Sequence, residues 1–177
     1  MSKNNIKKQI ENELSVLIGE RIRQIRRVVL MIGIDFGDDV EYKHLVGAKR
    51  GEISIIPKFS LHIHSSWRLL KDGNICLGQS DLFNRIDGEF KLYKNDSESM
   101  YNIVYNNTSR KLNELFDAKS MKVINVEANE LGDLKIYIEN DYCLELFVDS
   151  IGNNESWRFF RNDEDFEHFV VFGEGEI

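Results

Sequence analysis

The sequence predicts an α+β fold that is mostly β, with two similar antiparallel β-meander units packed as a sandwich or a partly closed barrel. Two stretches have apolar residues at helical spacing, and most of the remainder consists of short runs rich in Val, Ile and aromatic residues between turn signals. The second half also repeats anchor residues of the first. At 177 residues and 42% hydrophobic, the chain can bury one shared core, so residues 1–177 are predicted to form a single domain.

The first predicted element is an amphipathic helix over residues 4–18, where apolar side chains recur every three or four positions. Gly19 follows this helix as a candidate C-cap. The next apolar run, RVVLMIGIDFG, is predicted to be one strand that ends in a turn at Gly37, Asp38 and Asp39. The helix needs an apolar surface to pack on, and the strands that follow it can supply one.

Further short strands are predicted in the runs YKHLVGA, EISII, FSLHIHSSWRLL and NICLG, with Asp72-Gly73 as a hairpin turn. These runs complete a first β unit at about residues 20–95, and a connecting helix is predicted over residues 96–118. The second β unit, residues 119–177, has a turn at Asn140-Asp141. Its five predicted strands are MKVINVEA, LKIYIE, YCLELFVDS, ESWRFF and EHFVVFG.

An internal repeat relates the two β units. The segments 51–78 and 132–173 share anchors in the same order, and the extra residues of the second copy fall at turns, where insertions cost least. The sequence therefore predicts a pseudo-duplication in which each unit contributes a strand, a Trp-Arg pair and a closing strand. The matched anchors are Gly51 with Gly132, Leu61-His62-Ile63 with Leu144-Glu145-Leu146, Ser66-Trp67-Arg68 with Ser156-Trp157-Arg158, and Gly78 with Gly173.

The two Trp-Arg pairs are the first candidate for a functional site. Successive strand residues face opposite ways, so if the tryptophans are buried, Arg68 and Arg158 point outward, or into a lumen if the sheet closes. Two such arginines suit an anionic ligand or an acidic segment of a partner, because a guanidinium fork matches a carboxylate. We favour the alternative that each arginine pairs with a nearby carboxylate, such as Asp81 or Asp149, and clamps a turn.

His62 and His64 are the second candidate. They lie on one face of a predicted strand, roughly 7 Å apart, which is a spacing that metal sites use. In the cupin family a His-x-His motif is followed by a glutamate ligand, whereas Trp67 and Arg68 occupy the corresponding positions of this chain. A cation beside the site disfavours another cation. We therefore favour a structural role, retain His62 and His64 as weak metal candidates and predict no cofactor.

Net charge and cysteine content indicate which classes of partner and which cellular compartment to expect. The net charge of -7 and the isoelectric point near 5.2 argue against nucleic-acid binding and favour a basic protein partner. Residues 161–177 contain six acidic residues and one basic residue. Two cysteines are too few for a disulfide scaffold, and no apolar run reaches the ~20 residues of a membrane span. The protein is therefore predicted to be cytoplasmic, without a membrane partner.

The segments LHIHSSWRLL…GQSDLF and ESWRFFRNDEDFEHFVVFGEG resemble a family of small uncharacterised bacterial proteins with paired Trp-Arg strand motifs. Such proteins have an LHI-x-x-x-WR strand before a G-x-x-D turn, and an E-x-WR strand before an HFVV-x-G strand. The resemblance extends from about Leu17 and implies a recurring fold, but no activity and no site. The matching positions are Leu61–Ile63, Trp67, Arg68, Gly78, Asp81, Glu155, Trp157, Arg158, His168–Val171 and Gly173.

Two functions fit these observations. The sequence has no G-x-S-x-G, P-loop, H-E-x-x-H or G-x-G-x-x-G motif, which favours a non-catalytic protein-interaction module, such as an immunity-type inhibitor that blocks a basic toxin by charge complementarity. The alternative is a β-barrel that binds a small ligand or a metal through the face of His62, His64 and Arg68, with enzymatic activity left open. The sequence does not predict an oligomeric state. The residues predicted to contact a ligand or partner are Arg68, Arg158, His62, His64, Asp81 and His168.

Overall fold

A helix followed by five strands occurs twice in the computed structural model, which describes residues 6–28, 31–44, 47, 50–82, 103–162 and 168–173. Two short 3₁₀ helices, Ser15–Leu17 and Gln79–Leu82, accompany these elements. The first set is α1 (Ile6–Leu14), β1 (Ile22–Val28), β2 (Met31–Lys43), β3 (Ile53–Ile63), β4 (Ser66–Lys71) and β5 (Asn74–Gly78). The second set is α2 (Ile103–Lys119), β6 (Val123–Ala128), β7 (Leu134–Ile138), β8 (Tyr142–Phe147), β9 (Glu155–Arg161) and β10 (Phe169–Phe172).

The strands form two five-stranded antiparallel sheets that pack face to face. Sheet 1 has the order β1-β2-β3-β9-β10, and sheet 2 has the order β5-β4-β8-β7-β6. Each sheet has two different edge strands, so neither closes on itself. This confirms the predicted mostly β fold and selects the sandwich over the partly closed barrel. Each half of the chain gives three strands to one sheet and two strands to the other.

The two sheets have the same strand order once β1–β5 are exchanged with β6–β10. The exchange extends to individual residue pairs. Trp67 lies opposite Leu146 on β8, and Trp157 lies opposite Ile63 on β3. A common origin of the two halves by duplication stays a prediction, because strand order describes geometry and not descent.

One predicted anchor of the repeat does not follow this exchange. Gly51 precedes β3 and Gly132 precedes β7, but the counterpart of β7 in sheet order is β2. The mismatch arises because EISII and FSLHI, predicted as two strands, form the single strand β3. The only proline, Pro57, lies opposite Asp39 beside a register shift, where a missing backbone N–H is tolerated.

The run RVVLMIGIDFG was predicted as one strand, and that prediction is wrong. It contains the end of β1 and the start of β2, which pair as a hairpin with Val28 opposite Met31. The turn predicted at residues 37–39 is a bulge inside β2, where the register shifts between Phe36 and Asp39. Gly37 has a φ of +75°, and an added Cβ would lie 3.1 Å from Lys58 Cβ, so this bulge requires glycine.

The described bounds of the two helices can be compared with their predicted spans only in part. The predicted helix at 4–18 appears as α1 followed by the first 3₁₀ helix, and residues 4 and 5 lie outside the described residues. The connecting helix, predicted at 96–118, is described over Ile103–Lys119, and residues 96–102 are likewise outside. Among the described residues, no helix has the length and apolarity required to cross a bilayer.

The predicted turn at Asp72-Gly73 is confirmed by φ angles of +50° and +75°.

Each helix covers an edge strand of the opposite half. Asn113 of α2 accepts a hydrogen bond from the Ile25 N–H of β1 at 2.8 Å and donates one to the Ile25 carbonyl at 3.0 Å. Glu11 of α1 accepts a bond from the Ala128 N–H of β6 at 3.1 Å. The side chains thus satisfy backbone groups that an edge strand would otherwise present to other chains.

Alternating residues of the strands fill the space between the sheets. Leu61, Ile63 and Phe159 of sheet 1 and Leu144 and Leu146 of sheet 2 are at most 1% exposed. Full burial of an aliphatic or aromatic side chain of this size stabilises the fold by about 1.5–3 kcal/mol. This alternation also determines that the residues between them, such as those at positions 62 and 145, are on the outer faces.

Trp157 is bonded at the centre of this core. Its indole N–H donates to the Gly132 carbonyl at 3.1 Å, and both Trp157 and this bond are buried. Gly132 has a φ of +92°, and an added Cβ would lie 2.9 Å from Val171 Cγ1 and 3.3 Å from Val148 Cγ2. Glycine at position 132 therefore allows the turn before β7 to approach the tryptophan closely.

We expect Gly132→Ala to lower the free energy of unfolding by roughly 2–4 kcal/mol, because backbone strain adds to overpacking. Urea unfolding measures this loss. Gly152→Ala is the matched control, since Gly152 has a φ of +72° and no atom within 4 Å of the added Cβ. It should cost only the strain of about 1–2 kcal/mol. Equal losses in the two variants would contradict the close approach at Gly132.

Candidate functional site

Four of the six predicted site residues come together on the outer face of sheet 1. His62 lies opposite Arg158 in the β3–β9 pair, His64 directly follows β3, and His168 directly precedes β10. They face outward because their strand neighbours, including Trp157, face the core. The structure therefore connects residues that are about 100 positions apart in the sequence.

One end of the face is held by a buried carboxylate. Asp35 is 1% exposed and accepts hydrogen bonds from Ser60 Oγ at 2.7 Å, Gln24 Nε2 at 2.6 Å and Arg26 Nε at 2.9 Å. These bonds compensate for burying the charge. Arg26 is fixed by this contact, and its Nη2 lies 3.1 Å from His62 Nε2.

Gly33 provides the space for Arg26. It lies between the arginine and the histidine in the sheet, opposite Arg26 on β1 and His62 on β3. A Cβ at position 33 would be 2.8 Å from Arg26 Cζ. The absence of a side chain therefore allows the guanidinium group to lie across β2 and reach the imidazole.

The other end of the face repeats this arrangement with different residues. Arg158 forms a bidentate ion pair with Glu155, three residues earlier on β9. Its Nη1 lies 3.4 Å from His168 Nδ1, and His64 Nε2 lies 3.4 Å from Glu155 Oε1. The guanidinium group is again held by a carboxylate and again directed at a histidine.

Phe160 connects the two ends. Its ring centroid is 4.5 Å from that of His62 and 4.2 Å from that of His168, and both contacts are edge-on. Edge-to-face contact is a favourable arrangement for such rings. The result is a continuous surface, here named the outer row, that consists of Asp35, Arg26, His62, Phe160, His168, Arg158 and Glu155.

The hydrogen bonds determine the charge of the outer row. Arginine can only donate, so His62 Nε2 accepts and the ring is neutral. Burial and then the Arg26 guanidinium lower the pKa of His62 from 6.5 to about 4. Burial and then Arg158 also lower the pKa of His168, and hydrogen bonding to Arg158 lowers the pKa of Glu155. At neutral pH the row therefore consists of two arginine–carboxylate pairs and uncharged rings.

These contacts disfavour His62 as a metal ligand. Its Nε2 lone pair faces Arg26, and the neighbouring guanidinium groups repel a cation. The sequence predicted this repulsion to come from Arg68; the cations beside His62 are instead Arg26 and Arg158. Within the part of the chain that the structure describes, no three His, Cys, Asp or Glu residues are grouped as a metal site would require.

Arg68 and Asp81 lie away from the outer row. Arg68 is on the outer face of sheet 2, where its Nε donates to Glu145 Oε2 at 2.5 Å, and Lys135 Nζ lies 2.9 Å from Glu145 Oε1. Burial raises the pKa of Glu145, but hydrogen bonds from Lys135 and Arg68 outweigh it and keep the pKa below its usual value. The predicted grouping of Arg68 with His62 and His64 is therefore wrong.

The two arginines of the Trp-Arg pairs do form ion pairs, but with other carboxylates than those named from sequence. Asp81 accepts a bond from the Gly78 N–H at 2.8 Å, and Asp149 accepts one from the Ser66 N–H at 2.9 Å. Both aspartates thus hold turns through the backbone. The arginines pair with Glu145 and Glu155, which lie beside them in the sheet or on the same strand.

The contact between Arg26 and His62 can be tested by substitution of the arginine. Arg26→Gln should raise the pKa of His62 above about 4, because the guanidinium charge is removed. The Gln side-chain nitrogen takes the place of Arg Nε, so Asp35 keeps that donor. An NMR titration of the imidazole measures the change. Arg68→Gln is the control on the other sheet and should leave His62 unaffected; an unchanged pKa in Arg26→Gln would refute the contact.

Stability should also depend on pH through His62. Unfolded His62 takes up a proton near pH 6.5 and folded His62 near pH 4, so its contribution is complete above 6.5 and lost as pH falls through this interval. The free energy of unfolding, measured by urea unfolding, should be about 1–2 kcal/mol lower at pH 5 than at pH 7.5 because of His62. His62→Gln should remove most of that difference. The same change at His44, outside the row, should keep it, and loss of the pH dependence there would contradict the assignment.

The chain matches no protein-family model, no curated protein and no solved structure. Membership of the bacterial family with paired Trp-Arg motifs therefore stays a prediction. The chemistry of the outer row is what bears on function.

Proposed function

We propose that the protein is a non-catalytic protein-interaction module of the immunity type, which inhibits a basic partner, and that the outer row is its contact surface. The observation that carries this proposal is that Arg26 and Arg158 are each held by a carboxylate and each directed at a histidine, with Phe160 between them. Such a surface is ordered before a partner arrives.

Preorganisation favours binding because less side-chain entropy is lost in the complex. Arginine and aromatic side chains are also the types that contribute most at protein interfaces. The side chains of Arg26 and Arg158 are 36% and 32% exposed, so each guanidinium group is fixed and still accessible. Both conditions are needed for an interface hot spot.

Charge explains the choice of a basic partner. The outer row is close to neutral, so it can be covered without burying an unpaired charge. The attraction comes from the acidic residues that follow β9 and β10 in the sequence, after Asn162 and after Gly173. Long-range attraction of this kind increases the rate of association, and the row then determines the fit. The acidic residues are Asp163, Glu164, Asp165, Glu167, Glu174 and Glu176.

The probe for this proposal is the purified product of the gene immediately upstream. Calorimetric titration should show saturable binding, and Phe160→Ala and Arg158→Ala should each weaken it by about tenfold or more. Replacing the six acidic residues by their amides should slow association, and added salt should do the same.

Arg68→Ala is the matched control, because Arg68 occupies the same place in sheet 2 as Arg158 in sheet 1. It should bind like the unmodified protein. Absence of binding, or equal weakening by Arg68→Ala and Arg158→Ala, would count against the outer row as the contact surface.

A small-ligand function is the second candidate, and one observation favours it. A cavity of about 230 Å³ lies at sheet 2, lined by Glu127, Lys135, Glu145 and Phe147 among others. Its size suits a small ligand, and its lining has three carboxylates, Glu127, Asp133 and Glu145, against one lysine, which favours a positively charged ligand. Such binding would shift the NMR signals of Lys135 and Phe147 and leave Phe160 unchanged, which distinguishes it from partner binding at the outer row.

A further inference from the structure

A two-stranded ribbon extends beyond sheet 1. Strands β2 and β3 stay paired as far as Lys43 and Ile53, whereas β1 pairs with β2 only up to Phe36 and β9 pairs with β3 only from Phe59. Residues 39–43 and 53–57, here named the arm, therefore have no neighbouring strand among the described residues. An isolated two-stranded ribbon is only marginally stable in water, so a surface that packs on the arm would stabilise it.

The two faces of the arm differ. On one face Val40, Tyr42 and Ile56 are half-buried, and the Tyr42 ring contacts that of His44 at 4.9 Å. On the other face Ile53 and Ile55 are 62% and 63% exposed. Their strand partners are Lys43 and Glu41, which are also exposed. These four exposed residues, Glu41, Lys43, Ile53 and Ile55, form a second face, here named the isoleucine face.

The isoleucine face has one acidic and one basic residue, Glu41 and Lys43, on one strand and two isoleucines on the other. Glu41 and Lys43 form no ion pair with any described residue. They are two positions apart on one strand, so their side chains leave the ribbon roughly 7 Å apart. Ile55 and Ile53 have the same spacing on the other strand. A rotation that reverses the direction of both strands therefore puts Lys43 where Glu41 was and Glu41 where Lys43 was. The same rotation exchanges the two isoleucines with each other.

We propose that a second copy of this chain packs on the isoleucine face, arm against arm, about a two-fold axis that lies in the interface and runs across the strands. This axis brings Lys43 of one copy onto Glu41 of the other, and Ile53 onto Ile55. A two-fold axis along the strands would instead place each charge on an isoleucine and bury it unpaired, which is costly. Only the first arrangement is self-complementary, as an isologous interface requires.

The interface is small. A few residue pairs of one ribbon cover much less than the ~800 Å² per partner of a standard stable interface. We therefore expect weak, reversible dimers with a dissociation constant on the order of 10–1000 μM. This inference is independent of the outer row, whose one residue on β3, His62, lies where β3 pairs with β9 and outside the arm.

Sedimentation equilibrium of the full chain over a range of concentrations tests the proposal. Glu41→Lys and Lys43→Glu should each weaken dimerisation by about tenfold, because two symmetry-related attractions become repulsions. The double variant Glu41→Lys/Lys43→Glu should return to within about threefold of the unmodified chain, since the corners are exchanged together. Circular dichroism checks that each variant is folded.

Ile55→Asp should abolish dimerisation. Ile75→Asp is its matched control, because Ile75 is equally exposed at 63% but lies on β5 of sheet 2. It should leave the dissociation constant unchanged. Three outcomes would overturn the proposal: a monomeric unmodified chain at about 1 mM, a double variant as weak as the single variants, or equal loss in Ile75→Asp and Ile55→Asp.

Discussion

The chain crosses from one sheet to the other between β3 and β4, and this crossing determines how both sheets are completed. After β3 the chain leaves sheet 1 within two residues, and the N–H groups of His64 and Ser65 both donate to the Ser156 carbonyl, at 2.9 and 3.0 Å. Ser66 is then held by Asp149. Because β4 must pair with β8 and β9 with β3, neither half can complete a sheet alone. The core and both outer faces therefore form together, which predicts cooperative folding of the whole domain.

The same scaffold presents two different outer faces. The inner positions of both sheets are apolar, and the two tryptophans lie opposite aliphatic residues of the neighbouring strand. The outer positions differ in chemistry: His62 corresponds to Glu145, and Gly33 corresponds to Lys135. In sheet 2 one carboxylate holds two cations, whereas in sheet 1 two carboxylates hold one arginine each and leave neutral rings between them. Function can therefore differ between the faces while the core stays the same.

The sequence predicted the parts of the site that depend on local alternation. Burial of Trp157 made Arg158 an outward residue, and the spacing of His62 and His64 put both on one face. It could not predict the contact of Arg26 with Asp35, because the run 27–37 was interpreted as one strand, whereas β1, which contains Arg26, pairs with β2 as a hairpin. Phe160 was missed as well, since an aromatic residue in a strand carries no sign of which rings it will contact. Cross-strand neighbours depend on register, and register is a property of paired strands.

Local periodicity and turn chemistry are enough to predict the class of fold, the apolar faces that contain the tryptophans, the tight turns and the outward direction of the arginines. The folded chain is needed to see which carboxylate holds each arginine, that Arg68 is separated from the histidines, and that β2 and β3 extend together beyond sheet 1 as a ribbon. These features depend on which strands become neighbours. That choice is made by burying the apolar faces of the whole chain at once, so no short segment contains it.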